Sequence, residues 1–185
     1  MKVVGVVGSP REEGSTALLV GKVLEGARSA GADTVLHHLG SMSFGGCRAC
    51  MGCRGDGCCV QQDDMQPVYE DLRGAGAAVL GTPVYMLSMT GQTKLFIDRL
   101  FALMKPDFSS RLGKGMPLVT VVTQGAPDPE SFKPALDSMT EALDMLGLHE
   151  TDRIVGTGLG SAKDAMRRKD LLERAFEAGR KLAAG

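Results

Sequence analysis

The chain opens on Lys2-Val3-Val4-Gly5-Val6-Val7-Gly8-Ser9-Pro10-Arg11-Glu12-Glu13-Gly14-Ser15-Thr16, a β-branched run that stops at a glycine and gives way to small and hydroxyl residues. From Ser15 to Ser29 the apolar residues Leu18, Leu19, Val23, Leu24 and Ala27 fall at helical spacing, so the stretch reads as strand, loop, helix. The same alternation continues outward. Thr34 to Leu36 is predicted as a second strand, and Asp63-Asp64 can cap a helix to about Arg73 with Pro67 in its first turn. Ala77 to Leu80 is predicted as a buried strand, Thr90 to Met104 as a helix, and Pro117 to Thr123 as a fully buried strand of the parallel-sheet type. Ser131 to Leu146 supplies another helix, Arg153 to Val155 a weaker fifth strand, and Ala162 to Ala184 a closing amphipathic helix. Five strands alternating with helices predict a doubly wound parallel sheet in a three-layer α/β/α arrangement. Ligands on such sheets bind beyond the carboxyl ends of the strands.

The first loop lies at that edge. The free N–H groups and positive dipole end of the following helix favour an anion, with Ser9, Ser15 and Thr16 as hydroxyl donors and Arg11 as a guanidinium. A single phosphate group suits it. A nucleoside-triphosphate loop requires G-x-x-x-x-G-K-[ST], but the Gly8 to Gly14 spacing is one longer and no Lys precedes Ser15. A G-x-G-x-x-G dinucleotide fingerprint is also absent from Gly5 to Gly8. An ordinary turn with a Ser/Thr helix cap is the plain alternative.

Gly81-Thr82-Pro83-Val84-Tyr85-Met86-Leu87-Ser88-Met89-Thr90-Gly91 forms a second loop, following the third strand. Pro83 is expected to stiffen its turn and Gly91 to permit close backbone approach, while N–H groups around Tyr85 could reach the polar edge of a planar cofactor. Tyr85 could equally be a packed side chain with a satisfied hydroxyl. Thr123-Gln124-Gly125 ends the fourth strand, so three loops are expected to share one crevice.

Gly8-Ser9-x-Arg11 with Gly14-Ser15-Thr16, Gly81-Thr82-Pro83-Val84-Tyr85 with Ser88-Met89-x-Gly91, and Lys94 with Asp98-Arg99 together resemble the NADPH-dependent FMN reductase family over essentially the whole chain. The resemblance implies a flavodoxin-like sheet of strand order 2-1-3-4-5, noncovalent FMN, electrons taken from NAD(P)H, and a homodimer or homotetramer. It places the FMN phosphate on Ser9, Arg11, Gly14, Ser15 and Thr16. Pro83, Val84, Tyr85, Ser88, Met89, Gly91, Thr123, Gln124 and Gly125 are expected around the ring and ribityl chain. Lys94, Asp98 and Arg99 match a stretch associated with subunit packing, though a solvated helix face is equally readable from the charges alone.

All five cysteines lie between Cys47 and Cys59, in a stretch from about 41 to 60 that carries neither helical nor strand periodicity. A loop of that length is usually functional. Cys47-x-x-Cys50-x-x-Cys53 is a compact triple, followed by Cys58-Cys59. Four thiolates hold a cubane cluster, whereas structural zinc usually takes two separated C-x-x-C knuckles. Bare thiols, zinc and a disulfide are the other readings. This stretch resembles the iron-sulfur flavoproteins, a branch of the same family, which implies a 4Fe-4S cluster on Cys47, Cys50, Cys53 and Cys59. Cys59 is preferred to Cys58 because Val60-x-x-Asp63-Asp64-Met65 follows it, as in relatives.

The 185 residues suit one domain spanning 1–185, and 43% apolar content supplies a core. With 21 basic and 22 acidic residues and a net charge of -1, no broad positive surface is available for nucleic acid or anionic lipid. The N-terminal apolar run is too short for a signal segment and no stretch approaches a membrane span, so a cytoplasmic location is expected. His37, His38 and His149 are scattered and no nucleophile-base pairing is visible, so hydrolysis is disfavoured. The expected chemistry is electron transfer on FMN from NAD(P)H to a flavin, quinone or ferredoxin, with no catalytic side chain. An iron-sulfur carrier fed by ferredoxin is the alternative, and a redox-sensing cysteine switch a third.

Overall fold

Strand β1 (Lys2–Val7) is the hub of the sheet in the computed structural model, which describes residues 1–113 and 115–184. It pairs in parallel with β2 (Asp33–His38) on one side and β3 (Ala77–Tyr85) on the other. The two-residue β4 (Ser88–Met89) folds back antiparallel on the end of β3. Beyond β3 come β5 (Met116–Thr123) and β6 (Leu148–Gly156), again parallel. The path β2-β1-β3-β5-β6 is the expected flavodoxin-like order of five parallel strands, and the sixth, β4, is an addition. Thr151 is the extra residue of a bulge in β6, since Leu118 pairs with Glu150 and Val119 with Asp152.

Alternation along each strand sends side chains to two cores. Val3, Val7, Ala77, Val79, Val119 and Val121 pack under α1 (Ser15–Ser29), together with the C-terminal helices α5 (Ala162–Arg167) and α6 (Lys169–Ala184). Val4, Val6, Ala78, Leu80, Met116 and Leu118 pack under α2 (Met65–Arg73), α3 (Gly91–Arg99) and α4 (Lys133–Met145). Helices on both faces explain why the strands read as continuous apolar runs.

Four boundaries differ from the sequence reading. β3 continues to Tyr85 rather than ending at Leu80, so Gly81 to Tyr85 is strand and Pro83 does not sit in the turn. Pairing with β1 stops at Gly81 whereas pairing with β5 reaches Pro83, so Pro83 stands where β3 has lost a neighbour and proline is tolerated. The helix expected to reach Met104 ends at Arg99 and tightens into a 3-10 turn over Leu100–Leu103. The fifth parallel strand spans nine residues, because its exposed polar positions hide it from a hydrophobicity pattern. The closing helix breaks at Arg168, whose ψ of 75° is not helical. Ser161 and Asp164 form a reciprocal capping box that starts α5 separately.

Candidate functional site: the carboxyl edge of the sheet and the cysteine loop

The segment Gly8 to Gly14 leaves β1 at the carboxyl edge and enters α1 without a side-chain cap. The first-turn N–H groups of this fifteen-residue helix are therefore directed at whatever lies above them. Ser9 is 1% exposed, and its hydroxyl oxygen accepts from Arg11 N at 3.0 Å, which curls the loop back on itself. Arg11 is exposed and its Nη1 donates to Gly160 O at 3.2 Å. The Ser15 hydroxyl donates to Ser161 O at 2.7 Å, and Thr16 Oγ1 lies 2.7 Å from Thr123 Oγ1. Those two hydroxyls thus tie the loop to its neighbours, and the main-chain N–H groups of Ser15 and Thr16 are what α1 offers an anion.

Neighbouring segments hold this loop tightly. Gly8 N donates to Gly81 O at 2.7 Å, and Thr90 Oγ1 donates to Gly8 O at 2.6 Å. A Cβ on Gly8 would fall 1.8 Å from Thr93 Oγ1. Thr82, Thr90 and Thr93 form a buried hydroxyl cluster, with Thr93 Oγ1 donating to Thr82 Oγ1 at 3.1 Å. The sequence reading missed this support. Its signal was three threonines inside or beside two glycine-bounded loops.

Thr123, Gln124 and Gly125 continue from β5 at the same edge. Gln124 is 2% exposed, and its Nε2 donates to Ala126 O and Asp128 O, whereas Oε1 is buried without a partner. Leu159 N donates to Gln124 O at 2.9 Å, so the turn after β6 is a fourth wall that the sequence reading omitted. Val84 and Tyr85 pair with Met89 and Ser88, closing a hairpin whose central Met86 and Leu87 have φ of 46° and 70°. Two left-handed residues are the geometry of a tight hairpin turn, unusual for Met and Leu. The hairpin lifts Tyr85, Met86 and Leu87 to 42%, 96% and 71% exposure. Gly91 begins α3, with Thr90 as its cap through a 3.2 Å bond from Thr93 N.

The cysteine loop leaves β2 and packs against the far end of α3. Ala49 and Met51 have φ of 52° and 60°, so the chain turns twice between Cys47 and Cys53. Gly52–Arg54 then forms a 3-10 turn. Cys47, Cys50, Cys53 and Cys59 line one hollow with Arg99, Phe101 and Ala102, whereas Cys58 stands outside it. Burial pushes the Cys53 thiol up, and the nearby Cys59, Cys47 and Cys50 add to this against an opposing backbone hydrogen bond. Cys58 is exposed, and its N–H donates to Asp56 at 2.8 Å. All five are free thiols, and among the described residues no three His, Cys, Asp or Glu side chains stand in metal-binding geometry.

Arginines brace this loop. Arg54 donates to Pro106 O, Arg73 to Gly57 O, and Arg111 to Arg54 O and Gly55 O, all within 3.0 Å. Arg54 also lies over Phe101 and Phe108, at 5.2 and 4.7 Å from their ring centres. Arg99 does not share the surface with Lys94 and Asp98, which form an exposed i,i+4 pair at 2.6 Å. It is buried and grips both carboxylate oxygens of Asp63 at 2.6 and 2.9 Å. Asp63 therefore serves Arg99 as well as Met65 N at the start of α2, and Asp64 turns to Ser43 N.

The family model for NADPH-dependent FMN reductase matches residues 1–150. An iron-sulfur flavoprotein of Archaeoglobus fulgidus is 30% identical over 186 residues, covering 99% of this chain and 79% of that protein. One from Methanosarcina thermophila is 34% identical over 109 residues, and the match takes in 59% of this chain and 57% of that protein. Among solved structures, an NAD(P)H:quinone oxidoreductase from Methanothermobacter marburgensis superposes with a TM-score of 0.78 at 18% identity, covering 98% of both chains. That likeness speaks for the fold. The matched span and the similarity over nearly the whole chain together mean that this chain belongs to the NADPH-dependent FMN reductase family, on the branch of the iron-sulfur flavoproteins.

Proposed function

We propose that the chain is an FMN-dependent NAD(P)H oxidoreductase that passes electrons from NAD(P)H through bound FMN to an acceptor such as a flavin or quinone. Bound FMN supplies a hydride acceptor that can release electrons one or two at a time. The observation that carries this reading is the uncapped start of α1 above the buried Ser9, with the orphaned Gln124 Oε1 on the same edge. A phosphate monoester satisfies the helix N–H groups. The lone acceptor on Gln124 suits a ribityl hydroxyl or the ring imide N–H, since a buried unpartnered oxygen is otherwise unfavourable. Arg11 adds charge at the rim, and Val84, Tyr85, Ser88, Met89 and Gly91 are assigned to the ring. Tyr85, half exposed at the hairpin, would contact the ring from the side of the hairpin.

The test is anaerobic titration of the apoprotein with FMN, followed by mixing with NADH, NADPH or reduced ferredoxin. Quenching of flavin fluorescence and bleaching by a nicotinamide are expected. No affinity for FMN, or bleaching by ferredoxin alone, overturns the reductase reading.

A second reading, an electron carrier fed by ferredoxin through a 4Fe-4S cluster, is favoured by the four thiols that line one hollow together with Arg48 and Arg99. The donor type and number fit such a cluster. The hollow they line is small, about 20 Å³. Iron and sulfide analysis after anaerobic reconstitution decides this reading. Flavin without iron leaves the plain reductase.

A further inference from the structure

Arg99 ends α3 with a guanidinium whose side chain is 1% exposed. Its five N–H groups have five partners. Nε donates to Tyr69 Oη at 3.2 Å, and Nη1 to Gly45 O at 2.9 Å and Asp63 Oδ2 at 2.6 Å. Nη2 donates to Asp63 Oδ1 at 2.9 Å and to Cys59 Sγ at 3.5 Å. Four acceptors are oxygen and the fifth is sulfur. A neutral thiol is a weak acceptor, whereas a sulfur carrying negative charge makes a charge-assisted bond about twice as strong. Asp63 and Tyr69 aim the guanidinium, and the Tyr69 hydroxyl in turn donates to Arg99 O at 3.0 Å, so the N–H directed at Cys59 is held from both sides.

We propose that Arg99 is a positioning residue for the cysteine site, in which its Nη2 fixes Cys59 as the fourth ligand and raises the reduction potential of the group the four sulfurs hold. The assignment rests on the reading that Cys47, Cys50, Cys53 and Cys59 carry an iron-sulfur cluster. Reduction adds one negative charge beside the buried guanidinium, and a fixed cation bonded to one ligand sulfur stabilises the reduced state more than the oxidised one. Cys58 lies outside the hollow, with its own N–H engaged by Asp56, and Arg99 makes no bond to it. Asp63 works in the opposite sense by offsetting the charge of Arg99.

The opposition of Asp63 and Arg99 gives the test its sign. Wild type, Arg99→Gln, Arg99→Lys and Asp63→Asn are reconstituted anaerobically with iron and sulfide. Each is titrated with dithionite, which delivers one electron to the site with no bond formed or broken, and the potential is read by electron paramagnetic resonance. The equilibrium is expected to shift about tenfold toward the oxidised state in Arg99→Gln, or ~59 mV downward, with Arg99→Lys in between. Asp63→Asn is expected to shift it upward. The flavin potential serves as control and stays unchanged, because the nine residues of α3 set the two sites about 13 Å apart. If Arg99→Gln fails to fold or load, Asp63→Asn decides, and a potential at or below wild type there overturns the assignment. Unchanged potentials in loaded variants overturn it while the cluster reading stands. A wild type that takes up no iron overturns both.

Discussion

Arg99 is the residue where sequence and structure part most sharply. In the sequence it follows Lys94 and Asp98 on one charged stretch, and nothing in residue type separates it from them. Only the packing of the cysteine loop against α3 shows that its charge is buried with Asp63. Removing one partner of such a pair strands the other, so Arg99→Met is expected to lower apoprotein stability by about 3 kcal/mol in urea unfolding. The pair also sets an acid limit. Hydrogen bonds from Arg99 hold the Asp63 carboxyl below its usual range. The stabilisation is therefore complete above the unfolded value of about 3.9 and is lost as pH falls through the lower folded value. The urea midpoint of wild type should drop more steeply than that of Asp63→Asn between about pH 6 and about pH 3. Parallel curves would show that the pair does not contribute. Cys59 against Cys58 is a milder case, in which the sequence favoured Cys59 with Cys58 as the alternative, and of the two only Cys59 lines the hollow.

Elements were more legible than residues, because a hydrophobic period belongs to many side chains together. Helix α1 begins and ends where Ser15 and Ser29 place it. β3 and β6 ran long because strand continuation depends on a neighbour's backbone, which no local pattern reports. The approach of helices was also hidden. A Cβ on Gly179 of α6 would fall 1.8 Å from Val23 O of α1, and one on Gly26 would fall 1.9 Å from Phe176 O. These glycines let the two backbones touch. In an isolated helix Gly179→Ala gains about 1 kcal/mol of propensity, but here backbone must move, and overpacking wins. The substitution is expected to destabilise the protein by about 3 kcal/mol in urea unfolding. A neutral or stabilising result would mean that α6 slides at no penalty.

At the scale of the whole molecule, α3 joins the carboxyl edge of the sheet to the cysteine loop. Its cap Thr90 bonds Gly8 of the loop between β1 and α1, and its last residue, Arg99, bonds Cys59. Four loops from distant parts of the chain close the carboxyl edge, so a ligand there links β1, β3, β5 and β6. FMN at a hundred times its dissociation constant stabilises by about 2.7 kcal/mol, which should raise the melting temperature by roughly 5–10 °C in a thermal scan. An unmoved transition would count against the flavin site. Among the described residues no helix is long and apolar enough to cross a membrane. The sequence by itself determined the alternation of strands and helices, the parallel sheet, the anion-suited first loop and the clustering of five cysteines. Each of these rests on residue type and spacing along the chain, which short-range sterics and burial convert directly into structure. Only the tertiary structure decided that Arg99 faces the thiols, that the Ser15 and Thr16 hydroxyls bond neighbouring segments, and that the loop after β6 stands at the same edge. Those depend on which side chain meets which across dozens of residues, and it is the closing of the sheet and the docking of α3 that bring them within reach.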